Sequence, residues 1–156
     1  MFKFVMRIAS LILLFNLQST NLNAADYSFK TVEKGVAVYL GVLPAEMLEG
    51  HKSQSMHGGI PAGMLRYHVA VALFDDKTGQ RLSGAIIRTS LLDSKGRTFK
   101  EPVLLEPMYT QGKLLYGNYI VVNRIGEPYK IMLEIEFANR RHEKIKVIID
   151  YPFVHI

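Results

Sequence analysis

Short runs of β-branched and aromatic residues alternate with turn residues along most of the chain. The clearest run is Tyr129–Phe137, where apolar side chains take every second position while Met132, Glu134 and Glu136 take the others. This alternation is typical of a strand with one buried face. Seven segments with strand-forming composition predict strands: Gly35–Leu43, Tyr67–Phe74, Ala85–Leu92, Thr98–Leu105, Tyr116–Val122, Tyr129–Phe137 and Lys144–Tyr151.

Tight turns separate several of these strands, for example at Asp75–Gly79 and Asp93–Gly96. Many short strands at close spacing favour an all-β, immunoglobulin-like antiparallel β-sandwich of about seven strands. A cupredoxin-like Greek key is the alternative. Pro102 indicates that Thr98–Leu105 is an edge strand, and Ala45–Leu48 is expected to form a single helical turn after Pro44 ends the first predicted strand.

The amino-terminal segment has the order of a secretory signal: Lys3 and Arg7, a short apolar run, then small residues. The apolar run is about half as long as a membrane-spanning helix needs. We therefore expect a signal peptide over residues 1–24 and one β-sandwich domain over 25–156. The mature protein is then periplasmic or secreted, and its formal net charge falls from +5 to +3.

Composition excludes several classes of function. The chain has no cysteine, which rules out thiolate metal sites and thiol nucleophiles. Basic residues form no stripe with interleaved aromatics, so nucleic acid is not an expected partner. No nucleophile elbow, phosphate loop or zinc-protease motif is present, and we expect the protein not to be an enzyme.

The segment Met47–His68 has no steady period and is rich in glycine, and it holds three of the five histidines and three methionines. Long irregular loops in compact domains are usually functional or disordered. Imidazole and thioether are neutral donors that suit copper. Within the segment, Met56, His57 and His68 are the candidate metal ligands.

Two further candidates lie outside that segment. Met108 follows a proline and precedes polar residues, which predicts a loop at one end of the sandwich; a core methionine filling a gap is the alternative. His142 lies between the last two predicted strands, where a hairpin tip is expected. Glu106 offers an oxygen donor next to Met108.

Four stretches of the chain resemble one known family: Tyr67–Gly79, Leu105–Met108, Tyr116–Asn118 and Tyr129–Glu136. The family is that of the periplasmic iron-transport accessory proteins. These are secreted immunoglobulin-like sandwiches that bind copper through histidines and one methionine, and they are implicated in iron uptake. The resemblance covers about two thirds of the mature chain and rests on short motifs.

The resemblance implies that Met108 and His142 are metal ligands and that Tyr116 and Gly117 form the family's Tyr-Gly pair. His57 is the best counterpart of the family's first metal-binding histidine. The sequence departs from the family at Leu115, because the family has a histidine just before Tyr-Gly. His68 or Glu106 is the candidate that replaces this missing ligand.

Two hypotheses follow from the sequence. The first is a periplasmic protein that handles copper or assists iron uptake, with a membrane transporter or another periplasmic protein as its partner. The second is a metal-free interaction sandwich that serves a membrane or secretion complex, for which an exposed apolar edge or patch is expected. The oligomeric state stays open, a homodimer included.

Overall fold

A computed structural model describes residues 29–50, 56–63, 65–98, 100–122, 128–139 and 144–152. The predicted signal peptide and its cleavage site lie outside these residues. One turn of 3-10 helix, Ala45–Leu48, follows the second strand as expected. The described strands are β1 Phe29–Glu33, β2 Val36–Pro44, β3 Arg66–Asp75, β4 Ala85–Leu92, β5 Val103–Thr110, β6 Lys113–Val121, β7 Pro128–Phe137 and β8 Lys144–Pro152.

All neighbouring strands pair antiparallel, in the order β1-β2-β3-β6-β5-β4-β7-β8. Strand β5 belongs to two layers, because residues 103–105 pair with β4 and residues 106–110 pair with β6. At the other side of the molecule Phe29 in β1 contacts the ring of Tyr151 in β8 at 5.6 Å. The two layers are thus joined at both sides and enclose one core.

The core lies between the layers and follows the alternation of each strand. In β7 the side chains of Ile131, Leu133 and Ile135 are fully buried, as the sequence pattern predicted. Buried residues of β2, β3, β4, β6 and β8 complete the cluster. Each fully buried aliphatic side chain contributes about 1.5–3 kcal/mol to the free energy of unfolding. The core can therefore stabilise the fold without disulfide bonds, for which the chain has no cysteine.

The structure confirms the predicted all-β, immunoglobulin-like antiparallel sandwich, with eight strands among the described residues rather than about seven. The additional strand is β1, an outer strand whose five side chains are all exposed or half-buried. Because none of them is fully buried, the strand lacks the alternation from which the other strands were predicted.

The predicted bounds of the fourth strand were wrong. The strand is Val103–Thr110 rather than Thr98–Leu105, and it joins the two layers, because its first part pairs only with β4 and its second part only with β6. Pro107 is tolerated inside it because β5 has left β4 after Leu105. After Leu105, β6 is the only described strand that pairs with β5, and the other side of β5 has no described partner strand. A proline whose nitrogen faces that open side interrupts no hydrogen bond between strands.

Candidate metal site

The candidate site lies on the outer face of the layer formed by β3, β6 and the second half of β5. In β3 the side chains of Val69 and Val71 belong to the core, so alternation turns His68 and Ala70 to the opposite face. The strand register places His68 opposite Tyr119 of β6 and Ala70 opposite Gly117. His68 is nevertheless buried, with 5% of its surface exposed.

Met108 reaches the same face from β5, and Gly117 leaves room for it. A Cβ added at Gly117 would lie 2.8 Å from Sδ of Met108 and 3.1 Å from Nε2 of His68. Real Cβ atoms essentially never come within 3.0 Å of another atom, and the approach to His68 is tighter than nine in ten real Cβ contacts. Two potential donor atoms therefore lie close to one point. The expectation that Met108 sits on a loop was wrong, because it lies in β5 opposite Leu115.

His57 arrives from the loop between β2 and β3. Its backbone has φ +58°, and Gly58 and Gly59 also have positive φ values, which glycine adopts without steric cost. The ring of His57 stacks on that of His68, with centroids 5.6 Å apart and planes at 26°. Tyr119 packs edge-on against both rings, at 6.2 Å from His57 and 5.1 Å from His68.

The two ring nitrogens of His57 have different surroundings. Nδ1 lies 2.9 Å from Oε2 of Glu106. Since a carboxylate oxygen accepts hydrogen bonds, Nδ1 of His57 is the donor in this contact, and Nε2 is the ring nitrogen that is left to bind a metal ion. The His57 side chain is 3% exposed, and Nε2 is buried without a hydrogen-bond partner among the described residues. An unsatisfied buried polar atom costs about 1–3 kcal/mol.

His68 is held in its neutral form. Desolvation by burial, and after it the neighbouring His57, lower the pKa of His68 from 6.5 to about 4. A histidine with this pKa is uncharged at neutral pH, so one of its ring nitrogens has a free lone pair, and neutral imidazole is the form that binds metal ions. Burial also raises the pKa of the Tyr119 hydroxyl beside it.

Ion pairs connect the loop that carries His57 to the strands. The guanidinium of Arg66, at the start of β3, donates to Glu46 at 3.0 Å and to Glu49 at 3.4 Å. The same side chain donates to the carbonyl oxygen of Pro61 at 3.4 Å. Arg66 therefore links the helical turn after β2 to the far part of the loop.

Three of the five predicted site residues come together: His57, His68 and Met108. Met56 is half-buried one residue before His57, and no described contact links its sulfur to the other three side chains. His142 lies outside the described residues. Glu106 contacts His57, whereas the sequence had offered it only as an oxygen ligand or a replacement for the missing histidine.

Tyr119 and the spatial role of Gly117 were missed by the sequence analysis. The alternation of β6 was the available signal, because it places Tyr119 two positions after Gly117 on the same face. Within the described part of the chain, no three side chains from His, Cys, Asp and Glu are placed to hold a metal ion. The cluster is instead two imidazoles and one thioether.

The fold and this cluster define an all-β sandwich with a buried His/Met group on the outside of one layer. No protein-family model matches the chain, and no curated protein matches it. Solved structures do match, and the first similarity is to a DUF4426 family protein from Pseudomonas aeruginosa. Its TM-score is 0.63 at 10% identity, over 81% of this chain and 94% of that protein.

The chain is also similar to FetP of uropathogenic Escherichia coli. A copper-bound glutamate-to-glutamine variant of FetP gives a TM-score of 0.61 at 14% identity, over 82% of this chain and 95% of FetP. FetP as isolated after expression in the periplasm gives 0.63 at 16% identity with the same coverage. These matches confirm the resemblance at the level of the fold. The described residues contain no helix of the length and apolarity needed to cross a bilayer.

Proposed function

We propose that this protein is a periplasmic copper-binding protein and that His57, His68 and Met108 are its ligands. The buried, unpartnered Nε2 of His57 beside neutral His68 carries the proposal. A nitrogen in that state is unfavourable in the metal-free protein. A bound cation accepts its lone pair and removes that cost.

The donor set favours copper over other common metals. Two neutral imidazoles and one thioether add no negative charge, and thioether sulfur is a soft ligand that suits Cu(I). Hard cations such as Mg²⁺ and Ca²⁺ require several oxygen donors. The copper-bound form of FetP, which shares the fold, supports the same metal.

Glu106 acts on the metal through His57. Its carboxylate fixes the tautomer of the ring and its orientation, as outer carboxylates do for metal-binding histidines. The Glu106 side chain is half exposed, so the pair also places one end of the site near solvent. His142, which the family resemblance implies, is the proposed additional ligand.

The proposed role is binding and delivery rather than catalysis. The protein would take copper in the periplasm and pass it to a membrane transporter or another periplasmic protein, or it would use the metal in assisting iron uptake. The predicted signal sequence supports this location.

The test is a competition titration of Cu(I) against a chromophoric chelator, with the protein produced from its full sequence. We expect one ion per chain, bound tighter than micromolar, and a weakening of at least tenfold in the His57→Ala/Met108→Leu double variant, since each lost ligand is worth more than about 1.4 kcal/mol. Met47→Leu, an exposed methionine outside the cluster, is the matched control. Equal affinity of the double variant and the wild type would contradict the site.

A further inference from the structure

The layer formed by β4, β7 and β8 has a concave surface of its own, on different strands from those that carry the histidine cluster. It is a hollow of about 450 Å³ between the turn that follows β4 and the outer faces of β7 and β8. Ligand sites for small organic molecules typically enclose about 300–1,000 Å³. The hollow is therefore large enough for a ligand of that kind.

One wall of the hollow is a fixed turn. The Asp93 carboxylate accepts hydrogen bonds from the backbone N–H groups of Lys95 and Arg97, both at 2.9 Å. The Arg97 side chain donates to the same carboxylate, and Leu92 and Thr98 pair as an isolated bridge at the base of the turn. The turn is thus held in place before any ligand arrives, which lowers the entropic cost of binding.

The floor of the hollow is apolar. Leu92 is buried at the end of β4, and Met132 of β7 lies directly opposite Ile148 of β8. Ile148 is 50% exposed. An apolar group that covered Met132 and Ile148 would remove hydrocarbon surface from water, which is favourable by about 25 cal/mol per Å².

The rim is basic. Lys95 from the turn, Lys130 from β7 and Lys146 from β8 line the hollow, and none of the described lining residues is acidic. Lys130 forms an ion pair at 3.0 Å with Asp150, which lies outside the hollow. No described residue forms an ion pair with Lys95 or Lys146. Three ammonium groups around an apolar floor favour an anion.

The neighbouring part of the same face has a carboxylate beside its basic groups. Glu136 lies 3.1 Å from Lys144 and 3.8 Å from Arg88. These basic groups are thus paired with a carboxylate, whereas no acidic residue is among the described residues that line the hollow.

We propose that this hollow binds an amphipathic organic anion, with its carboxylate or phosphate beside Lys95, Lys130 and Lys146 and its aliphatic part on Leu92, Met132 and Ile148. A free acid and the headgroup region of an anionic lipid share this chemistry. The concave shape and the rigid turn suit either source. The site is independent of the proposed copper site.

The test is a chemical-shift titration of the ¹⁵N-labelled protein, produced from its full sequence, with octanoate, octyl phosphate and neutral octanol. Vesicles of phosphatidylglycerol, compared with phosphatidylcholine, form the second arm. We expect saturable binding of the anions, with shifts confined to the turn after β4 and to β7 and β8. The Lys95→Gln/Lys130→Gln/Lys146→Gln variant should bind them roughly tenfold more weakly, since each exposed charge pair contributes modestly.

Lys113→Gln is the matched control, because this exposed lysine lies at the start of β6. Binding to phosphatidylglycerol alone identifies the lipid source, and binding to free anions alone identifies a soluble ligand; both support the proposal. Absence of saturable binding in both arms, equal binding of octanol, or unchanged binding by the triple variant would overturn it.

Discussion

The outer faces of the two layers differ although both arise from the same strand alternation. On the β3-β6-β5 face, a loop covers the strands and buries His57 and His68 against Tyr119. On the β4-β7-β8 face, paired charges and Ile148 remain in contact with solvent. Covering a strand face removes water from its polar groups, and this is what depresses the pKa of His68.

The largest expected difference between the two faces concerns packing. Tyr119→Ala removes a buried ring that contacts both histidines, and we expect it to lower the free energy of unfolding by about 3 kcal/mol. Ile148→Ala on the open face should cost less than about 1 kcal/mol. Urea unfolding of the metal-free protein measures both values. Similar costs for the two variants would show that the loop does not bury its face in solution.

The second difference concerns pH. The pKa of His68 is about 4 in the folded protein, against about 6.5 in the unfolded chain. Below pH 6.5 the unfolded chain binds a proton that the folded protein does not, so this contribution to stability is complete above pH 6.5. The stabilisation from His68 decreases as the pH drops from 6.5 to 4, by about 3 kcal/mol in all. Below pH 4 it no longer changes.

Replacing His68 by leucine should remove this pH-dependent loss. The measurement is urea unfolding with a chelator present, at steps between pH 7.5 and 4, for wild type, His68→Leu and Lys146→Met. Lys146 lies on the open face, and its variant should follow the wild type. The same slope in His68→Leu as in the wild type would refute the burial of a neutral imidazole.

A third difference concerns carboxylates. Glu106→Gln removes the acceptor that fixes the ring of His57, and loss of such outer partners weakens metal binding about 10–100-fold. Glu136→Gln on the open face should leave copper affinity unchanged. Competition titration with Cu(I) compares the two variants. An unchanged copper affinity in Glu106→Gln would contradict the claim that the contact between Glu106 and His57 contributes to metal binding.

The smallest expected effect lies in the charges of the open face. Glu136→Gln breaks contacts with Lys144 and Arg88 that are exposed to solvent. Such pairs contribute between about 0 and 1 kcal/mol, so the unfolding free energy should change by about 0.5 kcal/mol or less. A loss above about 2 kcal/mol in urea unfolding would indicate that this face is more buried than its exposure suggests.

Much of the fold could be predicted from the sequence because burial alternates so regularly. Strand β7 is the clearest case, since its buried and half-buried side chains follow the predicted alternation. Strand β1 could not be predicted, because none of its side chains is fully buried. Pro107 wrongly indicated a loop at Met108. A strand tolerates this proline because β5 changes its partner strand after Leu105, and that change depends on long-range pairing.

The candidate site could be predicted only as a set of donors. His57, His68 and Met108 stand out by chemistry and by their surroundings in the chain. Their convergence depends on the register of β3, β6 and β5, which local sequence does not encode. The close approach of Met108 and His68 to Gly117 also could not be predicted from the sequence, because a glycine in a strand can equally mark a bulge or a turn.

The most direct test of the proposed copper site compares Gly117→Ala with Gly41→Ala in the Cu(I) competition titration. Neither variant alters a ligand. A methyl group at Gly117 meets Met108 and His68 at 2.8–3.1 Å, whereas one at Gly41 meets only the carbonyl oxygen of Ala70 at 3.9 Å. We predict that Gly117→Ala loses at least roughly tenfold in copper affinity and that Gly41→Ala retains it. Wild-type affinity in Gly117→Ala, with unchanged unfolding of both variants, would contradict a site built over Gly117.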